Sequence, residues 1–195
     1  MSFTSVLVTG NSCAGKTSLI DNLYDALSSV KATTRNKFDL CKSEQMRKAL
    51  RILNQEEAGS AREANELLLE AHLLDGRYFS APAHEGFLLQ DSYWERVAAF
   101  CRSHDLEDLA KRFINARNEL YVFDINILLW AQDGMRERRA LHRGRETING
   151  TNTEIFDGTI KEITQRNPNY LFVDTTGLSL SDVTRIALEH IRGCL

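Results

Sequence analysis

The chain has 195 residues, is 43% hydrophobic and 26% charged, and carries a formal net charge of -3. That length suits one domain spanning 1–195 and leaves little room for a second core, and no apolar run approaches the roughly 20 residues that a bilayer span requires. The acidic balance argues against a nucleic-acid groove, which carries a broad basic excess, and Met1–Thr4 lack the basic start and long apolar stretch of a secretory leader.

Ser5–Thr9 is a short β-branched apolar run ending at Gly10, the pattern of a buried strand. Leu19, Ile20, Leu23 and Leu27 then recur at helical spacing over Thr17–Leu27, and Val30–Thr34 reads as a second short strand. Met46, Leu50 and Leu53 mark a helix from Ser43, and Ala64–Leu74 is a second, very apolar one. Gly86–Gln90 reads as a strand ending at Asp91, followed by helices over Trp94–Cys101 and Leu106–Leu120. Ile125–Trp130 is the next strand, and an arginine-dense helix covers Met135–Arg145. Tyr170–Asp174 is the last strand, before a helix with Ser179 and Asp182 in a capping box and a stop at Gly193. Apolar strands alternating with helices imply a parallel sheet covered on both faces, with ligands at the carboxyl ends of the strands. Four cysteines (13, 41, 101 and 194) form no CxxC pair and read as free thiols of a reducing cytoplasm, and the five histidines have no metal spacing.

Gly10-Asn11-Ser12-Cys13-Ala14-Gly15-Lys16-Thr17 matches G-x-x-x-x-G-K-[ST] in full, between a strand and a helix. Gly10 and Gly15 permit the backbone angles and close approach of a phosphate-binding loop. Loop N–H groups and the helix N-terminus, through Ser18, meet phosphate oxygens. Lys16 reaches the β- and γ-phosphates, and the Thr17 hydroxyl suits Mg²⁺. The GTPase-like fragments Asn36–Asp39 and Asp174–Gly177 stand in reversed order, and Asn36 follows the loop too closely, so both read as accidental.

Ser43–Leu50, Glu66–Glu70, Gly86–Tyr93, Phe123–Leu129, Arg136–Arg139 and Tyr170–Asp174 follow one another in an order that resembles the thymidylate kinase family, within the nucleoside and nucleoside monophosphate kinases. The resemblance spans nearly the whole chain. It implies a three-layer P-loop kinase fold with a five-stranded parallel sheet, ATP with Mg²⁺ as donor, and a helical arginine-rich lid over approximately 134–150. It also implies Asp91 beside the metal with Thr17; alternatively Asp91 caps the following helix. Arg136, Arg138, Arg139, Arg143 and Arg145 fall within ten residues, opposed only by Glu137. They read either as a solvated helix face or as donors closing over transferring phosphate, for which Arg139 and Arg143 are the candidates. Arg47 and Arg77 resemble acceptor-phosphate arginines or are plain surface residues, with Arg35 a further candidate, and Tyr93 stacks on a base or fills the core.

The family's acidic residue inside the phosphate loop is absent, and its Asp-Arg pair reads Asp91-Ser92. The expected function is therefore phosphoryl transfer from ATP to a nucleoside monophosphate or nucleoside-like acceptor. Transfer to a non-nucleotide metabolite or antibiotic, and nucleotide binding without transfer, stand as alternatives. The Leu67–Leu69 run with Leu73 and Leu74 exceeds one helix face, which is consistent with a homodimer through the Ser43–Leu53 and Ala64–Leu74 helices.

Overall fold

A computed structural model describes residues 3–82, 85–144, 153–165, 167 and 169–195. Five parallel strands, β1 (Phe3–Gly10), β2 (Thr33–Lys37), β3 (Gly86–Asp91), β4 (Ile125–Trp130) and β5 (Tyr170–Asp174), lie in the order β2-β3-β1-β4-β5. The helices between them are α1 (Lys16–Ser28), α2 (Glu44–Leu53), α3 (Ala61–Tyr78), α4 (Trp94–Ser103), α5 (Glu107–Ala116), α6 (Asp133–Leu141), α7 (Thr153–Gln165) and α8 (Leu180–Cys194).

Alternation along the strands sorts the apolar residues to two faces. Val6, Val8, Leu89, Ile127 and Leu129 pack against Leu19 and Leu23 of α1 and Val183 and Ile191 of α8. Leu7 and Leu88 face the other way with Tyr93 and Phe123, while Leu128 packs on Ala99, Phe156 and Ile160 of α4 and α7. A further cluster joins Met46, Leu68, Leu69, Cys101, Leu109 and Phe113, with Leu67 and Leu73 packed against it. Most of the leucine surplus that pointed to a dimer face is thus taken up within the chain, by α4 and α5.

β3, β4 and β5 follow their expected ranges closely, and β4 and β5 coincide with them. β2 starts three residues later than expected, because Val30 lies beyond the end of α1 and is 74% exposed, and the polar edge strand takes its register from β3. α3 extends well beyond Ala64–Leu74 at both ends, starting where the Ser60 hydroxyl accepts from the Glu63 N–H. α5 ends at Ala116 and gives way to a 3-10 turn at Arg117–Glu119. α6 ends at Leu141, before Gly144, which has φ 67 and donates to the Leu141 carbonyl. The remainder of the expected lid, 145–150 with Arg145, lies outside the described residues. α7 has no counterpart among the expected elements: its buried stripe of Phe156, Thr159, Ile160 and Thr164 includes two threonines, so the apolar period is faint. α8 passes through Gly193 to Cys194. Among the described residues no helix is long and apolar enough to cross a membrane.

Candidate phosphoryl-transfer site

The sheet register sets Gly10, Lys37, Asp91 and Trp130 at one edge, since Val8 pairs with Asp91, Lys37 with Asp91 and Gly10 with Leu129. The phosphate loop leaves this edge from the central strand. A Cβ at Gly10 would lie 1.9 Å from the Leu129 carbonyl oxygen, and φ there is +138, so no other residue fits. Gly15, at φ 100, turns the chain into α1.

Five successive loop carbonyls, residues 10 to 14, accept hydrogen bonds from side chains. Arg96 Nη1 donates to the Gly10 oxygen at 2.6 Å, and Lys16 Nζ donates to Gly10 at 3.3 Å and Asn11 at 2.8 Å. Arg136 Nε donates to the Ser12 oxygen at 3.0 Å, Arg139 Nη1 to Cys13 at 3.2 Å, and Thr175 Oγ1 to Ala14 at 3.0 Å. Asn11 is itself pinned at both ends of its amide to Ala131. Holding the carbonyl ends by cations and hydroxyls preorganises the loop as a nest for an anion, beside the positive end of α1. Burial, and next the charge of Arg96, push the Lys16 ammonium well below its ordinary pKa. Burial likewise lowers that of Arg96. Two half-buried cations thus stand side by side with Asp91 as the nearby carboxylate, a setting that favours an anion beside them.

Asp91 Oδ2 accepts from Thr17 Oγ1 at 3.3 Å and Asp91 Oδ1 from Ser92 Oγ at 3.0 Å. The cap of α4 is Tyr93, without a side-chain bond, so Asp91 is not the helix cap. Thr17 and Asp91 are two side chains with hard oxygen donors. That is too few for an all-protein cage and fits Mg²⁺, which keeps waters and takes phosphate oxygens. Among the described residues no group of three or more metal-ligating side chains occurs.

Two cavities flank the loop. One, of about 420 Å³, is lined by Ser12, Cys13, Lys16 and Thr17 together with Asp91, Arg96 and Lys37, and its far wall is Met46, Leu50, Leu53, Leu68, Val97 and Phe100. The other, of about 540 Å³, lies against Ala14, Gly15 and Ser18, with Arg138, Arg139, His142 and Arg143 on one side and Leu178 and Leu180 on the other. Arg143 lines both.

Arg139 reaches the loop at Cys13 and is held to Thr175 as well, whereas Arg143 lines the two cavities beside the loop. Tyr93 lines the first cavity while 2% exposed; its hydroxyl donates to Asp75 at 3.1 Å, and its ring meets His72 and Phe123 edge-on, so it is chiefly a core residue. Arg47 and Arg77 do not reach the cavity. Each lies on the surface in an ion pair, with Glu44 and Glu119 respectively, and Arg35 pairs with Asp21. Asn36 and Asp39, the GTPase-like fragment, tie the β2–α2 turn: Asn36 donates to Gln90, and Asp39 accepts from Ser43.

Arg96 and Thr175 join the site from outside the sequence motifs, and Arg136, one of the five clustered arginines, serves the loop in addition to the candidates Arg139 and Arg143. Arg96 sits in the first turn of α4, and helical side chains lean toward the N-terminus, which aims it back over the strand ends. That signal was available. Nothing in the sequence marks Arg136 as the arginine that is 0% exposed, paired with Asp133 at 2.9 Å and with Asp157 from α7.

Sheet order, phosphate loop and flanking cavities together define a P-loop protein with the thymidylate kinase-like kinase fold. The chain is similar to a solved thymidylate kinase from Candida albicans, with a TM-score of 0.71 and 17% identity over 97% of this chain and 91% of that one. No protein-family model and no curated protein sequence matches it.

Proposed function

We propose that the protein is an ATP- and Mg²⁺-dependent phosphotransferase acting on a nucleoside monophosphate or nucleoside-like acceptor. The observation that carries this reading is the preorganised phosphate loop between two cavities. In-line transfer needs a donor on one side of the phosphates and an acceptor on the other. The cavity beside Ala14, Gly15 and Ser18 suits the donor nucleoside, and the cavity beside Asp91, Arg96 and Lys37 suits the acceptor.

In this reading Lys16 and the loop N–H groups bind the β- and γ-phosphates, and Arg139 and Arg143 face them from α6 and the turn after it. Thr17 and Asp91 would hold Mg²⁺, which supplies charge neutralisation of the phosphate oxygens. Arg96 stands beside Lys16, in a chain that has Ser92 where the family pattern has an arginine, and an arginine there meets an acceptor phosphate or the transferring group. Dimerisation rests on the family resemblance alone.

A non-nucleotide acceptor is the second reading, favoured by the apolar far wall and by the outward placement of Arg47 and Arg77. ADP formation from ATP and Mg²⁺ with a panel of nucleoside monophosphates, nucleosides and small alcohols separates the two. Lys16→Ala is expected to reduce turnover at least about a hundredfold with the fold intact; undiminished turnover would refute the assignment.

A further inference from the structure

At the opposite edge of the sheet, the amino ends of β4 and β5 and the turn after α5 enclose a third cavity of about 370 Å³. Its size falls in the range of small-molecule sites, roughly 300–1,000 Å³. Glu95 lines it while only 3% exposed. Its Oε1 accepts from the Tyr170 hydroxyl at 2.5 Å, and its Oε2 is buried with no hydrogen-bond partner. A buried carboxylate oxygen without a donor is costly and rare in folded proteins.

The walls beside it are the rings of Trp94, Tyr121 and Phe123. Asn126 donates one of its two amide N–H groups to the Phe123 carbonyl at 3.4 Å, and its own carbonyl oxygen can accept. Of the other charged groups facing the cavity, Glu162 is paired with Arg102 and Arg117 is exposed at the rim. A carboxylate oxygen in need of a donor, within aromatic walls that attract positive charge, selects a cation and disfavours an anion.

We propose that this cavity binds a small organic cation, an ammonium or amidinium borne on an aromatic or short apolar body, with its N–H groups on the Glu95 carboxylate. The site is separate from the phosphate site, although its key residue adjoins Arg96: the first turn of α4 sends Glu95 one way and Arg96 the other. Burial pushes the Glu95 carboxyl up to about 7, so a buffer at pH 8 keeps it ionised for the test.

The test is titration of the full chain at pH 8 with phenethylamine, phenethyl alcohol and 3-phenylpropionate, followed by tryptophan fluorescence, to which Trp94 and Trp130 contribute, and by calorimetry. Phenethylamine is expected to bind at least about tenfold tighter than the alcohol or the acid. Glu95→Gln, which preserves shape and an acceptor for Tyr170, should bring the amine level with the alcohol. Arg117→Glu, at an exposed position, should tighten amine binding severalfold and serves even if the Glu95 variant folds poorly. No binding by any probe, an amine no tighter than the alcohol, or amine affinity unchanged in both variants overturns the proposal.

Discussion

Arg136→Met is the most informative single change. The methionine keeps most of the side chain's length but removes the donor to Ser12 and the partner of Asp157. Arg136 is 0% exposed, so its charge is fully withdrawn from water and is offset by Asp157 and Asp133. Removing one member of such a pair costs about 3–5 kcal/mol, because the other charge stays buried. Asp157 keeps 15% of its side chain exposed, which places the expected loss near the lower end, about 3 kcal/mol. Urea unfolding at pH 7 measures it. Burial already pushes the Asp157 carboxyl above its usual range, and Arg136 is the main group opposing that. Without Arg136 the ionised form costs more still. A carboxyl whose folded pKa lies above its unfolded value costs stability at high pH and regains it on protonation. The deficit should therefore shrink as pH falls from 8 to 5. The double variant Arg136→Met with Asp157→Leu should recover most of it. A single-variant loss below about 1 kcal/mol, or a double variant as unstable as the sum of the two singles, refutes the reasoning.

Gly10→Ala should destabilise by more than the roughly 1 kcal/mol typical of point substitutions, because its Cβ meets the Leu129 backbone; denaturant midpoints check this, and a midpoint equal to wild type contradicts it. Arg96→Met should weaken polyphosphate binding and lower phosphoryl transfer at least about tenfold, because the half-buried guanidinium that holds the Gly10 carbonyl beside Lys16 is removed; transfer kinetics check this, and a rate equal to wild type contradicts it. Because Lys16 is held below its ordinary pKa by burial and by Arg96, ATP binding at alkaline pH should take up protons, as a polyphosphate restores the charged ammonium. Calorimetry in two buffers of different ionisation enthalpy measures this uptake, and identical heats in both would exclude it.

Most of the donor side was legible from the chain. G-x-x-x-x-G-K-[ST] between an apolar strand and an amphipathic helix carries its own backbone requirements, and Asp91 at the end of β3 follows from the strand period. The acceptor side was read less well. Arg47 and Arg77 were placed by order along the chain, yet which way an arginine on α2 or α3 points depends on what those helices pack against. Both bury Met46, Leu68 and Leu69 toward α4 and α5 and leave these arginines on the outer face.

The sequence by itself determined the class of fold and the phosphate-binding loop, since both depend on local spacing: apolar period, two glycines, one lysine and one hydroxyl. Only the tertiary structure decided which side chains serve the loop. Arg96, Arg136 and Thr175 come from α4, α6 and the segment after β5, and they meet at residues 10–14 because a parallel sheet brings the carboxyl ends of distant strands to one edge. That convergence pairs residues more than 80 positions apart, and no local pattern records it.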